Sequence, residues 1–249
     1  MKIEIIGIEG LPEFGPGADV AEIVALGAER AAEPLRRGDV VVVTQKIVSK
    51  AEGRLVPLRD VVPSRFAAEW ARAHRCDPRH IELVLRESRR IVRMDRGVLI
   101  TETYHGFVCA NAGVDLSNVA GGEVAALLPE DPDASARRIR EGLIARSGVE
   151  LAVIISDTFG RPWREGLTNV AIGVAGLAPL ASYVGARDPA GFALEATVQA
   201  IADEVAAVSG LVARKLNRNP AVIVRGLTYD AGEGSYRDLI RPPERDLFR

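Results

Sequence analysis

The sequence predicts a globular chain of interspersed strands and helices, on three observations. Short apolar runs that stop abruptly at polar residues read as buried strands. Segments with a cap and a helical apolar period read as helices interspersed among them. One pair of apolar runs closes around Tyr104-His105-Gly106 as a hairpin. The chain has 249 residues, more than the commonest domain size. No repeat or low-complexity linker divides it, so residues 1–249 are expected to form a single domain, with any second subdomain woven into the first.

In order along the chain, Lys2–Ile8 reads as a strand and Glu9–Gly17 as a turn-rich segment. Asp19–Ala32 reads as a helix, with Val20, Ile23 and Val24 on one face. Val40–Val43, four β-branched residues, reads as a buried strand that ends in the polar run Thr44–Arg54. Ser64–His74 is a short helix, and Asp77-Pro78 starts another whose apolar face includes Ile81, Val84, Leu85 and Ile91. His74 and His80 fall in this helical part and read as surface histidines. Val98–Thr103 and Phe107–Ala110 form the hairpin, with His105 in its turn, and Asp131–Asp133 opens a helix over Ala134–Ser147. Leu151–Ile155 is a buried strand, and Gly160 is expected to let the chain turn after it. Gly185–Gly191 is a turn offering Arg187 and Asp188 as surface contacts. Phe192–Val212 reads as one long helix whose Leu194, Val198, Ile201, Val205, Val208 and Val212 form a seam, either core or a dimer face. Ala221–Val224 is a strand, and the end of the chain reads as an extended polar tail.

Composition excludes several classes. With 47% hydrophobic and 27% charged residues this is an ordinary globular chain, and a formal charge of −2 gives no basic field for nucleic acid. Cys76 and Cys109 are too few for a disulfide framework or a cysteine zinc site, which fits a reduced, cytoplasmic setting. The N-terminus lacks the apolar core of a signal peptide. Gly166–Ala186 carries no charge, but its glycines and Pro179 suit a buried strand with tight turns rather than a membrane span.

Three polar stretches carry chemistry. Ser156–Gly166, SDTFGRPWREG, brings Asp157 and Thr158, the hard oxygen donors that Mg²⁺ or Mn²⁺ prefers, beside Arg161 and Arg164. Read alone it fits a capped turn equally well. Thr44–Arg54 brings Lys46 and Lys50, point charges suited to phosphate in a chain whose other cations are nearly all arginine. Asn111–Asn118, NAGVDLSN, offers Asp115 and Asn118; paired with Asp157, Asp115 supplies the second carboxylate that a phosphate-bridging divalent ion needs. Neither GxGxxG nor a Walker motif is present.

Taken in order, IEGLPEF, VSKAEGR, NAGVDLSN, SDTFGRPWREG, GARDPAG and AVIVRGL resemble the coenzyme F420-0:γ-glutamyl ligase family over nearly the whole chain, Ile5 to about Phe248. The resemblance implies a GTP-dependent ligase that adds L-glutamate to the deazaflavin coenzyme F420-0 through γ-linked amide bonds by way of an acyl phosphate. It implies two divalent ions (Mg²⁺ or Mn²⁺), K⁺ as activator, and a family-specific α+β fold with mixed and antiparallel sheets, two interwoven subdomains and an intertwined homodimer. Carried over by position, the nucleotide meets Gly10, Leu11, Pro12, Glu13, Gln45, Lys46, Lys50 and Asn118. The metal is held by Asp115, Asp157 and Thr158, and Asp115, Asp157 and Lys50 carry catalysis. The chain departs from the family in the loop Ala213–Pro220, which has no glycine, so Lys215 or Asn217 is expected to substitute there. The resemblance is to the single-domain form, so the C-terminal flavin domain of two-domain relatives is not expected. A ligase of the same architecture acting on another acid or amine, and a non-catalytic nucleotide-binding regulator, are the alternatives.

Overall fold

The four consecutive valines of β2 (Val40–Thr44) lie at the centre of the molecule and are almost wholly shielded from solvent on both faces. A computed structural model of the chain describes residues 2–116, 123–213 and 219–246. Strands are numbered along the chain. In the main sheet, β1 (Glu4–Gly7) is followed in space by β12 (Ala221–Arg225), β2, β8 (Ala152–Arg161) and β9 (Arg164–Ala175). Only β2 and β8 are parallel, with Thr44 opposite Ser156; the other neighbours are antiparallel.

Alternation sends successive side chains to opposite faces. Val41, Val43, Val153 and Ile155 pack on α1 (Val20–Arg30) and α5 (Pro132–Ser147). Val40, Val42, Ala152 and Ile154 pack on α6 (Ile201–Ala213). Gly173 allows α5 to approach the edge strand, because a Cβ there would collide with the Pro132 carbonyl. A separate cluster gathers α3 (Arg65–His74), α4 (Pro78–Arg86), Leu58 and Leu99. It includes residues of the sheet β4 (Ser88–Asp95), β5 (Val98–Thr103) and β6 (Val108–Ala110) and of the small pair β3 (Leu55–Pro57) and β7 (Val124–Ala126). Six α-helices among the described residues, the last being α2 (Gln45–Ala51), with mixed and antiparallel sheets, make this the α+β fold expected.

Local structure corrects several expectations. The polar run after β2, not assigned to a helix from sequence, leaves the sheet as α2 over Gln45–Ala51. Ile91 lies in β4 and not on α4, whose last residue is Arg86. The strand expected to stop at Ile155 continues to Arg161, so Ser156–Gly166 is most of a β-hairpin, and Gly160 sits within the strand opposite Leu167. The turn is made at Pro162 and Trp163, the latter at φ 57°. The long helix begins only at Ile201. Leu194 and Val198 belong to a ribbon in which Leu194 N–H donates to Ala186 O and β11 (Val198–Gln199) pairs with β10 (Ala181–Ser182), so the six-residue seam does not form. Asp188 folds back on its own turn, accepting from Ala190 and Phe192 N–H. His74 and His80 are half-buried: His74 packs on Trp70 at 3.7 Å between ring centroids, and burial pushes the His80 imidazole below its ordinary pKa. The tail is not fully extended, since Pro243–Arg245 makes a 3₁₀ turn. No helix among the described residues is long and apolar enough to cross a membrane.

Candidate active site

The parallel pair β2–β8 aims two chain segments in the same direction, and the polar residues expected to act follow directly from its C-terminal ends. Beyond β2 the helix α2 presents Lys46 and Lys50, spaced i,i+4 and therefore on one side. The adjacent face is held by a buried latch. Gln45 Nε2 donates to Ser49 Oγ at 2.6 Å and to Leu127 O at 3.1 Å, and Ser49 Oγ donates to the same carbonyl at 2.6 Å. Of the residues expected to meet nucleotide, Gln45 is thus turned inward and its amide is engaged in packing.

The latch explains where Lys46 arrives. Leu127 follows β7, and Ala126 of that strand exchanges both backbone hydrogen bonds with Asp115. Docking α2 on Leu127 therefore brings Lys46 to Asp115, and Lys46 Nζ lies 2.7 Å from Asp115 Oδ2. One turn along α2, Lys50 Nζ lies 3.2 Å from Glu13 Oε2. Glu13 is held near by its own segment, which turns at Gly10 (φ 71°) and is tied to α2 where Gly17 N–H donates to Ala51 O. Leu11 is half-buried against the α1 face, while Pro12 and Glu13 are exposed. Glu13, Lys50, Lys46 and Asp115 thus form a charged row in which two neighbouring ammonium groups are flanked by a carboxylate at each end.

On β8, Asp157 stands opposite Val170 and on the same face as Phe159, towards the α1–α5 side. Thr158 stands on the other face, where its hydroxyl donates to Asn169 Oδ1 at 3.0 Å, and Asn169 in turn abuts Gly210 of α6. The structure therefore gathers Asp157 with β6 and separates it from Thr158 by the thickness of the strand. Two polar groups here were not singled out from sequence. Burial, and then the neighbouring Asp157 carboxylate, push the Cys109 thiol up to about 12, so it stays neutral. Ser49 is fully buried and anchors the lysine-bearing helix. The Gln45–Ser49 spacing was the available signal, legible only once Gln45–Ala51 is read as helical. Arg161 bonds its own turn, donating to Glu165 O, and Arg164 is exposed at the hairpin tip. Asn118, Lys215 and Asn217 lie outside the described residues.

The donor set fits an open metal site rather than a protein cage. Among the described residues no three His, Cys, Asp or Glu side chains converge. Mg²⁺ commonly takes one or two carboxylates and completes its shell with water and phosphate oxygens; Asp115, paired with Lys46, and Asp157 on β8 are the carboxylates available for such a role.

Residues 9–226 match the family described as F420-0:gamma-glutamyl ligase. The chain belongs to that family. It is 46% identical to the coenzyme F420:L-glutamate ligase of Methanothermobacter thermautotrophicus, with the whole of both chains covered. It is 41% identical to the protein of the same name from Methanocaldococcus jannaschii, and 44% identical to that from Methanopyrus kandleri. These two matches cover all of this chain and 97% and 98% of the relatives. The family match begins just before the Gly10–Glu13 segment and ends just after β12, so it spans every residue of the charged row and Asp157.

Proposed function

We propose that this protein is a GTP-dependent ligase that joins L-glutamate to F420-0 through a γ-glutamyl amide linkage, forming GDP and phosphate. The observation that carries the proposal is the placement of Lys46 on Asp115, with Lys50 one helical turn away and Asp157 on the parallel neighbour strand. Amide formation from a free carboxylate needs activation. In the proposed sequence an acceptor carboxylate oxygen bonds to the γ-phosphorus as the bridging bond to GDP breaks, giving an acyl phosphate. The glutamate amine then attacks the acyl carbon, the phosphate leaves, and the amine loses a proton. Such transfer asks the protein mainly for positioning and charge neutralisation. Lys46 and Lys50 neutralise phosphate oxygens as fixed cations, and the Gly10–Glu13 segment borders the nucleotide. Asp115 and Asp157 hold Mg²⁺ or Mn²⁺, which when bound offsets charge on the phosphates. Thr158, expected with these carboxylates, faces α6 through its bond to Asn169 and takes no part in holding the ion in this scheme, and K⁺ acts as activator. Asn118, Lys215 and Asn217 complete the nucleotide contacts.

The same proposal includes a cytoplasmic homodimer. Its support is the projecting β8–β9 tip, where Trp163 is 80% and Leu167 61% exposed, together with exposed Leu211 on α6. The main sheet with its flanking helices and the smaller α3–α4 cluster are taken as the two interwoven subdomains. Light scattering on the purified chain tests the dimer, and a monomer at micromolar concentration refutes it.

Incubation with F420-0, L-glutamate, GTP and Mn²⁺, read by product mass, tests the reaction. Masses increased by whole glutamyl residues, with stoichiometric GDP, are expected. GTP hydrolysis only with another acid points to a different ligase of this architecture, and tight nucleotide binding without turnover to a regulator.

A further inference from the structure

We infer that a cavity between the edge strand β9 and the C-terminal segment receives the planar ring system of the acceptor, an inference that rests on the ligase proposal above. The cavity has a volume of about 250 Å³. Phe159, backed by the nearly buried rings of Phe107 and Tyr236, lines it with Val108, Val170 and Ile240, and the charged Asp203, Arg241 and Asp246 lie on its rim. The rings form a continuous set: Phe107 lies 4.9 Å from Tyr236 and 6.0 Å from Phe159 between centroids. The Phe159 ring, the least buried of the three, favours a flat aromatic guest, which gains offset or edge contacts beyond simple burial. The volume falls just short of the range usual for whole drug-sized ligands, so it suits a ring system whose polar arm lies outside.

The outer wall is fixed before any ligand arrives. The buried Asp133 carboxylate accepts from Val174 N–H at 2.8 Å on β9, and from Ser235 Oγ at 2.6 Å and Tyr236 N–H at 3.2 Å on the C-terminal segment. One side chain thereby pins the segment bearing Tyr236 and Ile240 to the sheet edge. Asp203 contributes a polar point on the wall; its Oδ1 accepts from Ala171 N–H at 2.8 Å. A carboxylate there suits a heteroaromatic ring carrying an N–H rather than a hydrocarbon.

Position decides which planar ring is meant, since guanine and the deazaflavin share this chemistry. In the sheet the order is β2, β8, β9. The ammonium row extends from the end of β2, Asp157 is on β8, and the cavity lies over β9, lined by Val170, the cross-strand partner of Asp157. Phe159 is two residues beyond Asp157 on the same face, roughly 7 Å along the strand. The cavity and the lysines thus stand on opposite sides of Asp157. Phosphoryl transfer needs nucleotide and acceptor on opposite sides of the reacting phosphorus, so the ring beside β9 is the acceptor's.

The test compares wild type with Val108→Trp, which fills the cavity, and Phe159→Ala, which removes a wall. The readouts are KM and Kd for F420-0, the latter from the ring's own absorbance, and Kd for GTP. At least one folded variant should weaken F420-0 by about tenfold or more, the scale of one lost stacking contact, with GTP affinity unchanged. If wild type turns over and both variants keep the wild-type KM and Kd for F420-0, the cavity assignment is overturned. Weakened GTP with unchanged F420-0 overturns it too, giving the cavity to guanine. Absence of glutamyl transfer by wild type refutes the ligase proposal itself, and is read separately from the variants.

Discussion

Ser49→Ala separates the role of the α2 latch from that of the charges it positions. The hydroxyl is buried, accepts from Gln45 Nε2 and donates to Leu127 O. After truncation Leu127 O keeps its bond from Gln45, but one amide N–H of Gln45 is left buried without that acceptor. An unsatisfied buried donor costs about 2 kcal/mol, and in a chain of this size that lowers Tm by about 4–8 °C. A helix of seven residues has little stability of its own, so loosening the latch should also spread the positions of Lys46 and Lys50 and raise KM for GTP. Differential scanning calorimetry and steady-state kinetics read the two effects. The control is Asp39→Asn at the opposite end of β2, where Asp39 holds Arg225 through two bonds of 2.9 Å. Breaking that buried pair should cost roughly 3–5 kcal/mol and leave KM for GTP unchanged. A Ser49→Ala protein with wild-type Tm and KM would refute the reasoning, as would an Asp39→Asn protein with a matching rise in KM.

Asp157→Asn should abolish Mn²⁺-dependent glutamyl transfer with an unchanged circular dichroism spectrum; retained turnover would remove Asp157 from the metal set. Lys50→Ala should raise the GTP dissociation constant roughly tenfold or more, as expected for a lost charged contact, and an unaltered constant in isothermal calorimetry would contradict a phosphate role. Burial raises the Asp203 carboxyl above its ordinary value of 3.8, so the folded state holds this proton more tightly than the unfolded state. That contribution is present below pH 3.8 and is lost as pH rises through the raised value. Asp203→Asn, which does not titrate, should therefore gain Tm relative to wild type across that interval and plateau above it, and a loss over the same interval would reverse the sign. Cys109, held protonated up to about 12, should resist iodoacetamide at pH 8 in the native protein while the part-exposed Cys76 reacts first. Mass spectrometry of the alkylated peptides decides, and equal labelling of both would count against the buried thiol.

What could be read from sequence was what local chemistry fixes. Val40–Val43 is a strand because four β-branched residues leave no polar face, and α4 starts at Asp77-Pro78 because Asp77 caps Arg79 N–H. The helix from Pro132 and the hairpin of β5 and β6 follow equally local signals. The errors arise where tertiary pairing outweighs local pattern. Leu194 and Val198 keep a helical period with the residues after them, yet a ribbon takes both. The polar residues after Ile155 look like a strand end, but β9 supplies a full set of partners through Arg161. In the candidate site, Lys46, Lys50, Asp115 and Asp157 were all legible as residue types. Their relative placement was not, since Lys46 meets Asp115 only through the docking of α2 on Leu127. Alternation likewise parts Thr158 from Asp157, a distinction that adjacency in sequence conceals.

The parallel register of β2 and β8 has a kinetic consequence. Two parallel neighbours cannot be joined by a tight turn, and here the chain leaves at Thr44 and returns at Ala152 after building α3, α4 and the β4–β6 sheet. Closing so long an excursion loses loop entropy before any strand contact compensates for it. Lys46 and Asp157 stay apart until β2 and β8 are paired, and Asp115 lies within the excursion itself. The candidate site therefore depends on a long-range pairing rather than on local structure, so a partly folded chain in which β2 and β8 are unpaired lacks the arrangement on which the proposed nucleotide chemistry rests.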